Sequence, residues 1–243
     1  MLKTYDIFLI DADGTLFDFD KAEADALAKV FGLYGIYTLD VLLTYRRISF
    51  GLWASFEKGE ITATELQTQR FGRLFEEFGI RGDAGEFNNK YLNEISKGYY
   101  LIDGALELCR DLTARGKKIY IVTNGLAFTQ TARLAGSAIK DYVSGIFISE
   151  LIGFQKPHVA FFEHVLEYIC FDGKPVDKNR ILVVGDSLSA DIKGADNMGF
   201  DSCWVNIKKT LNNMGDAMPT YEVNCLLDVL LIPGVCGSQA ATT

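Results

Sequence analysis

The stretch IFLIDADGTLFDFD, residues Ile7–Asp20, decides the architecture of this 243-residue chain. Its first four residues are all apolar, and the run stops at an aspartate. A short run that is apolar on both faces is the pattern of a strand buried in a parallel sheet. Asp11 and Asp13 then stand two residues apart, so on extended backbone their side chains point the same way. Ligands of open parallel sheets bind outside the carboxyl ends of the strands. Both carboxylates are therefore expected at a binding edge, followed directly by Gly14 and Thr15. Two like charges this close repel each other unless a cation or a shared proton intervenes. The pattern calls for a bound hard metal, or for one ionised and one protonated carboxyl. Either suits acid–base assisted nucleophilic attack.

The same rhythm returns along the chain. Lys118–Val122 runs into Thr123-Asn124-Gly125, Gly145–Ile148 into Ser149-Glu150, Ile181–Val184 into Gly185-Asp186-Ser187, and Ser202–Val205 into Asn206. Amphipathic segments near 104–115, 126–136, 157–169 and 189–198 lie between them, with Gly116 and Gly199 as helix stops. This alternation predicts an α/β fold, a doubly wound, Rossmann-like parallel sheet with right-handed crossovers. One interval breaks the rhythm. Residues 18–98 carry helical periodicity, as in ALAKVFGLYG and TELQTQRFGRLFEEFG, with almost no strand signal. A single crossover needs far less chain. We assign 1–17 and 99–236 to the α/β core and 18–98 to an inserted helical cap domain above the strand ends. The tail 237–243, GSQAATT, is expected to be disordered.

The bulk properties narrow the partners. The net charge of -8 leaves no basic stripe for a nucleic-acid backbone, so an anionic ligand would need a metal and a few placed cations. Five cysteines form no CxxC and have no histidine at zinc-ligand spacing, which fits reduced thiols of a cytoplasmic protein. No signal-peptide pattern and no stretch of 18 uninterrupted apolar residues is present, so no membrane partner and a cytoplasmic location are expected.

The chemistry sits at the strand ends. Thr123 and Asn124 offer a hydroxyl, an amide and free backbone N–H groups ahead of a helix, a neutral cradle for an oxyanion. Lys156, in Gly153-Phe154-Gln155-Lys156-Pro157, brings a cation to the same edge. Asp186 stands where an oxygen ligand for Mg²⁺ would be useful, and Asp191 follows it. Taken singly these residues have plain readings as a turn, a surface lysine and a helix cap. Acid, hydroxyl, lysine and acid at four strand ends, in that order, are far harder to explain so.

In this order, and over essentially the whole chain, these residues resemble the four motifs of the haloacid dehalogenase-like hydrolase superfamily. The resemblance implies that Asp11 is a covalent nucleophile and magnesium ligand. It implies that Asp13 is the general acid/base and lends a backbone carbonyl to the metal. Thr123, Asn124 and Lys156 would bind the transferring phosphoryl group, Asp186 would ligate Mg²⁺, and Asp191 would support the groups around the metal. The superfamily's dehalogenases replace the acid at the position of Asp13. Its presence here, with Asp186, implies a phosphatase acting on a small phosphate ester.

The strings TLFDFD, LWASFEKGEIT and LQTQRFGRLFEEFG are similar to the nucleotidase branch that acts on pyrimidine nucleoside monophosphates, including noncanonical ones. Trp53 and Phe56 are candidates for substrate contact in the cap, where a base stacked on an aromatic ring gains roughly 1–3 kcal/mol. Arg46, Arg47 and Arg70 read as solvated helix-face charges, and His158 and His164 as packing or surface residues. A sugar-phosphate phosphatase or phosphoglucomutase-like enzyme is the alternative on the same core. A dehalogenase or a non-catalytic binding module is further off. A monomer and a homodimer both remain open.

Overall fold

In the computed structural model, which describes residues 3–169, 176–212 and 215–235, the apolar runs become strands of one parallel sheet. They are β1 (Ile7–Ile10), β2 (Lys118–Thr123), β3 (Gly145–Ile148), β4 (Ile181–Gly185), β5 (Asp201–Val205) and β6 (Tyr221–Val223), in the order β3-β2-β1-β4-β5-β6. Alternation assigns their side chains to two faces. Phe8 and Ile10 of β1 join one buried cluster with Ile119, Ile121, Leu182 and Val184, covered by Leu108 and Leu112. Ile7 and Leu9 join the opposite cluster with Val122, Ile181 and Val183, covered by Phe161, Phe162 and Val165. The first cover comes from α5 (Ala105–Ala114) in the helix numbering given below, the second from α8 (Val159–Ile169). Both faces are thus sealed, which is why the strands read as continuous apolar runs.

The order places the site. The chain proceeds from β1 outward through β2 to β3, then returns to the other side of β1 as β4. That reversal opens a crevice at the carboxyl ends of β1 and β4. Ile10 lies level with Ile121 and with Val184, so Asp11, Val122 and Gly185 stand at one height on the three central strands.

Residues 19–95 form four helices, α1 (Phe19–Leu33), α2 (Leu39–Glu57), α3 (Ala63–Phe78) and α4 (Ala84–Ile95). Each begins at a side chain that accepts a hydrogen bond from an otherwise unpaired backbone N–H: Asp18, Thr38, Thr62 and Asp83. At Thr62 the bond is reciprocated by Glu65, a capping box. The helices enclose their own core of Leu27, Phe31, Tyr45, Leu52, Phe71, Leu74, Phe87 and Tyr91. Each such burial contributes roughly 1.5–3 kcal/mol. Arg70 is a correction to the sequence reading. Instead of being solvated it is buried between α3 and α4, where its Nε and Nη2 donate to Asn88 Oδ1 at 2.9 and 2.6 Å over the Tyr91 ring. Arg47 does lie exposed, paired with Glu77 at 2.7 Å.

Two short segments join this helical unit to the sheet and pair with each other: the Asp18 amide donates to the Tyr100 carbonyl, and the Ile102 amide to the Leu16 carbonyl, both at 3.0 Å. The remaining helices are α5, α6 (Ala127–Gly136), α7 (Ser149–Ile152), α8 and α9 (Lys193–Met198), the last preceded by a π-helical turn at Leu188–Ile192. Gly199 ends α9 in the left-handed conformation, φ 69°. Among the described residues no helix is long and apolar enough to cross a membrane. The tail 237–243 and the cysteines Cys170 and Cys236 lie outside the described residues.

Candidate active site

Asp11 leaves β1 with its amide donating to the Val184 carbonyl at 2.9 Å, so the first loop is stitched to β4. Gly14 turns the loop at φ 89°, and a Cβ there would collide with the Asp186 carboxylate. A glycine is needed on both counts. Gly185 is constrained in the same way, since a Cβ would run into Asp191.

Lys156 organises the centre. Its side chain is buried, and Nζ donates to Asp11 Oδ1 at 2.7 Å, to Asp191 Oδ1 at 2.6 Å and to the Val122 carbonyl at 2.7 Å. All three ammonium protons are therefore used. Its backbone is fixed too. The Asn124 amide donates to the Lys156 carbonyl at 2.9 Å, and the Lys156 amide donates to Asn124 Oδ1 at 2.8 Å. Asn124 thus clamps the lysine loop onto the end of β2. Thr123 is buried and its hydroxyl accepts from the Gly125 amide at 3.0 Å. Asp191 is fully buried in the turn before α9, with its second oxygen accepting from the Ser187 amide at 3.1 Å.

Carboxylate oxygens of Asp11, Asp186 and Asp191 lie within 4.8 Å of one another. The electrostatics show the strain of that grouping. Burial pushes the Asp11 carboxyl well above its usual range against the pull of Lys156, with Asp191 and Asp186 adding to the rise. Asp186 is pushed up to about 7, by burial first and then by Asp191. Burial alone would lower Lys156, but Asp11 and Asp191 outweigh it and hold the ammonium above the usual lysine range. Three carboxylates against one ammonium leave two negative charges, which one divalent cation would balance.

A cavity of about 210 Å³ opens over this centre, lined by Asp11, Asp13, Thr123, Asn124, Lys156 and Asp186 from the sheet side and by Trp53 and Glu57 from α2. Beside it a wider cleft of about 570 Å³ shares Asp13 and Asp186. The two cap aromatics part company. Trp53 faces the cavity, whereas Phe56 is buried in the helical core and meets Trp53 edge-on at 5.7 Å. As i and i+3 neighbours on α2 the two rings touch each other, with Trp53 at the edge that lines the cavity and Phe56 set into the helical core. The end of α2 docks on the sheet loops through two hydrogen bonds. Gln155 Nε2 donates to the Phe56 carbonyl at 2.9 Å, and the Ser189 hydroxyl donates to Glu57 at 2.6 Å. Burial raises the Glu57 carboxyl, opposed by its bond from Ser189.

Asp13 also reaches the cavity, yet its carboxylate stands apart from the three-acid group. One oxygen pairs with Arg133 and the other accepts from Gln130, both on α6. Sequence reasoning missed Glu57, Gln130 and Arg133. Glu57 is four residues past Trp53 and so on the same helix face. For α6, the available signal was a glutamine and an arginine three residues apart, on the one side of a short helix that turns inward.

The family model of the haloacid dehalogenase-like hydrolases matches residues 5–199. The Bacillus subtilis HAD-hydrolase YfnB is 39% identical over 93% of this chain and 94% of its own. A crystal structure of YfnB bound to magnesium, reported to reveal interdomain movement, superposes with a TM-score of 0.85, covering 95% of this chain and 99% of that one. The pyrimidine 5'-nucleotidases PynA of Streptococcus pneumoniae and YjjG of Escherichia coli are 36% and 32% identical, over 93% and 91% of this chain and 94% and 95% of theirs.

Proposed function

This chain belongs to the haloacid dehalogenase-like hydrolase family, and from that premise we propose that it is a Mg²⁺-dependent phosphomonoesterase acting on pyrimidine nucleoside 5'-monophosphates through an aspartyl-phosphate intermediate. The observation that carries the reading is the charge of the centre: Asp11, Asp186 and Asp191 converge beside one fully engaged lysine and leave a deficit that suits a divalent cation. Asp11 and Asp186 are the side chains that would hold the ion, because Asp191 already spends an oxygen on Lys156 and the other on the Ser187 amide. When bound, Mg²⁺ supplies charge neutralisation for the phosphoryl group and for the attacking carboxylate.

The chain's own residues do the rest. Asp11 attacks phosphorus; as its oxygen–phosphorus bond forms, the bond to the leaving oxygen breaks. In its protonated form Asp13 gives its proton to that oxygen, becoming the carboxylate that Arg133 and Gln130 hold, and it regains a proton from the water that releases phosphate from Asp11. Thr123 presents its hydroxyl to the phosphoryl oxygens, Lys156 balances the negative charge of Asp11 and of the phosphoryl group, and Asn124 keeps the lysine loop in place. Residues 18–98 act as the cap, and Trp53 stacks on the base. The nucleotide substrate is supported by the likeness to the pyrimidine 5'-nucleotidases PynA and YjjG, each similar to this chain over more than nine-tenths of its length.

Phosphate release from UMP, dUMP and dTMP with Mg²⁺, in the wild type and in Asp11→Asn, tests the proposal. Loss of turnover in Asp11→Asn is the expected result, and activity that survives would sink the mechanism. A panel with sugar phosphates and 2-haloacids tests the substrate. If sugar phosphates are hydrolysed as well as the nucleotides, the nucleotide assignment falls.

A further inference from the structure

Asp13 is held by α6 in a way that the four-motif reading does not account for. Arg133 and Gln130 are each only 1% exposed, and between them they occupy both carboxylate oxygens of Asp13. Arg133 reaches further. Its Nε donates to the Gly98 carbonyl at 2.9 Å, and its guanidinium lies 4.7 Å from the Phe17 ring and 5.9 Å from the Phe19 ring. Gly98 belongs to the segment returning from the helical unit; Phe17 belongs to the segment entering it, and Phe19 opens α1. A single buried guanidinium therefore touches Asp13 and both connections at once. Arg133 Nη2 and Gln130 Oε1 are buried without a partner, so this pair is not a fully satisfied structural clamp. Gly125, just after Thr123 and Asn124, keeps the space open, since a Cβ there would strike the Gln130 side chain.

We propose that Arg133 and Gln130 are positioning residues for Asp13: they fix its carboxylate at the cavity wall and tie that position to the two segments joining the helical unit to the sheet. The proposal rests on the reading of Asp13 as the acid that protonates the leaving oxygen. Neither residue touches substrate; each acts through Asp13. A group displaced from its productive geometry by about 1 Å loses on the order of 10²-fold in rate. In kcat/KM, which reports the steps up to loss of the leaving group and not the later attack of water, that loss falls on substrates whose leaving oxygen needs the proton.

The test compares kcat/KM for a nucleoside 5'-monophosphate, whose alkoxide leaving group needs protonation, with 4-nitrophenyl phosphate, whose leaving group does not. Arg133→Met is expected to lower the first by on the order of 10²-fold and the second by less than about threefold. Gln130→Met is expected to show the same selectivity at smaller size. Arg133→Lys, which keeps the charge but cannot reach Asp13 and Gly98 together, is expected to recover only part. In an Asp13→Asn background the Arg133 substitution is expected to cost nothing further. Equal losses on both substrates, or full additivity with Asp13→Asn, would overturn the proposal and leave Arg133 a structural residue. If Arg133→Met does not fold, Gln130→Met decides by the same ratio. Failure of the underlying phosphatase reading looks different, since the wild type would then release no phosphate or Asp11→Asn would retain activity.

Discussion

Replacing Lys156 with methionine should destabilise the metal-free protein by about 3–5 kcal/mol at pH 8, the range for removing one partner of a buried ion pair. The structure supports a figure of that size. Lys156 Nζ makes two charge-assisted bonds, at 2.7 Å to Asp11 and 2.6 Å to Asp191, and each such bond contributes about 1.5–3 kcal/mol. Methionine preserves most of the volume, so cavity formation adds little. The loss should also depend on pH, and its sign follows from Asp11. Burial already holds that carboxyl above its usual range, and Lys156 opposes the rise. Without the lysine it rises further. A carboxyl that is higher in the folded than in the unfolded state binds a proton on folding, so its stabilisation is lost as pH rises through the folded value. The penalty of Lys156→Met should therefore shrink by more than about 1 kcal/mol between pH 8 and pH 5, where Asp11 can protonate. Urea unfolding in EDTA at the two pH values measures it. A penalty that is equal at both, or larger at pH 5, would refute the reasoning.

For the wild type, the raised Asp11 and Asp186 carboxyls imply that the metal-free protein loses stability as pH rises from about 4, where an unfolded aspartate titrates, to about 7, the value of Asp186. Mg²⁺ should accordingly raise the melting temperature more at pH 8 than at pH 5; a shift of equal size at both would contradict the assignment of these acids to the cation. Trp53→Ala should raise KM for UMP roughly 5- to 150-fold, the equivalent of 1–3 kcal/mol of stacking, with 4-nitrophenyl phosphate nearly unaffected. Phe56→Ala should instead cost about 3–5 kcal/mol of stability by opening a hole in the helical core. Urea melts and KM values on the two variants check both expectations, and the reverse pattern would exchange the two roles.

The sheet was legible because buried parallel strands leave no ambiguity of face: Ile7–Ile10, Gly145–Ile148 and Ile181–Val184 are apolar at every position, and each runs into residues with chemistry. β6 was not legible. It has three residues, one of them the exposed Glu222, and it holds its place by pairing Tyr221–Val223 with β5 rather than by its own pattern. The π-helical turn at Leu188–Ile192 was equally hidden, although Asp191 inside it had been singled out. At the site, Asp11, Thr123, Lys156, Asp186 and Asp191 could be collected because each lies at a strand end or in the segment that follows one, where topology alone brings residues together. Arg133 and Glu57 could not, because their meeting with the site depends on how helices pack, and a single charged residue on an amphipathic helix reads as solvated. Arg70 failed for that same reason: only the facing Asn88 and Tyr91, from another helix, make its burial tolerable.

The docking of α2 has a thermodynamic consequence. The end of that helix meets the loops of Lys156 and Asp191 through two hydrogen bonds, from Gln155 and Ser189. Such bonds are each worth about 0.5–1.5 kcal/mol net of water, and an exposed ion pair such as Lys208–Asp20 adds between zero and about 1 kcal/mol. Parting this seam thus costs about 1–4 kcal/mol, against which the separate core of the four helices stays whole. If these polar contacts alone hold the seam, a gap of that size would leave roughly a tenth to a thousandth of the molecules ajar at any instant. Traffic of ligand through the mouth is then governed by a standing equilibrium set by two donors, and the loops being uncovered are those that hold the lysine and the buried aspartate.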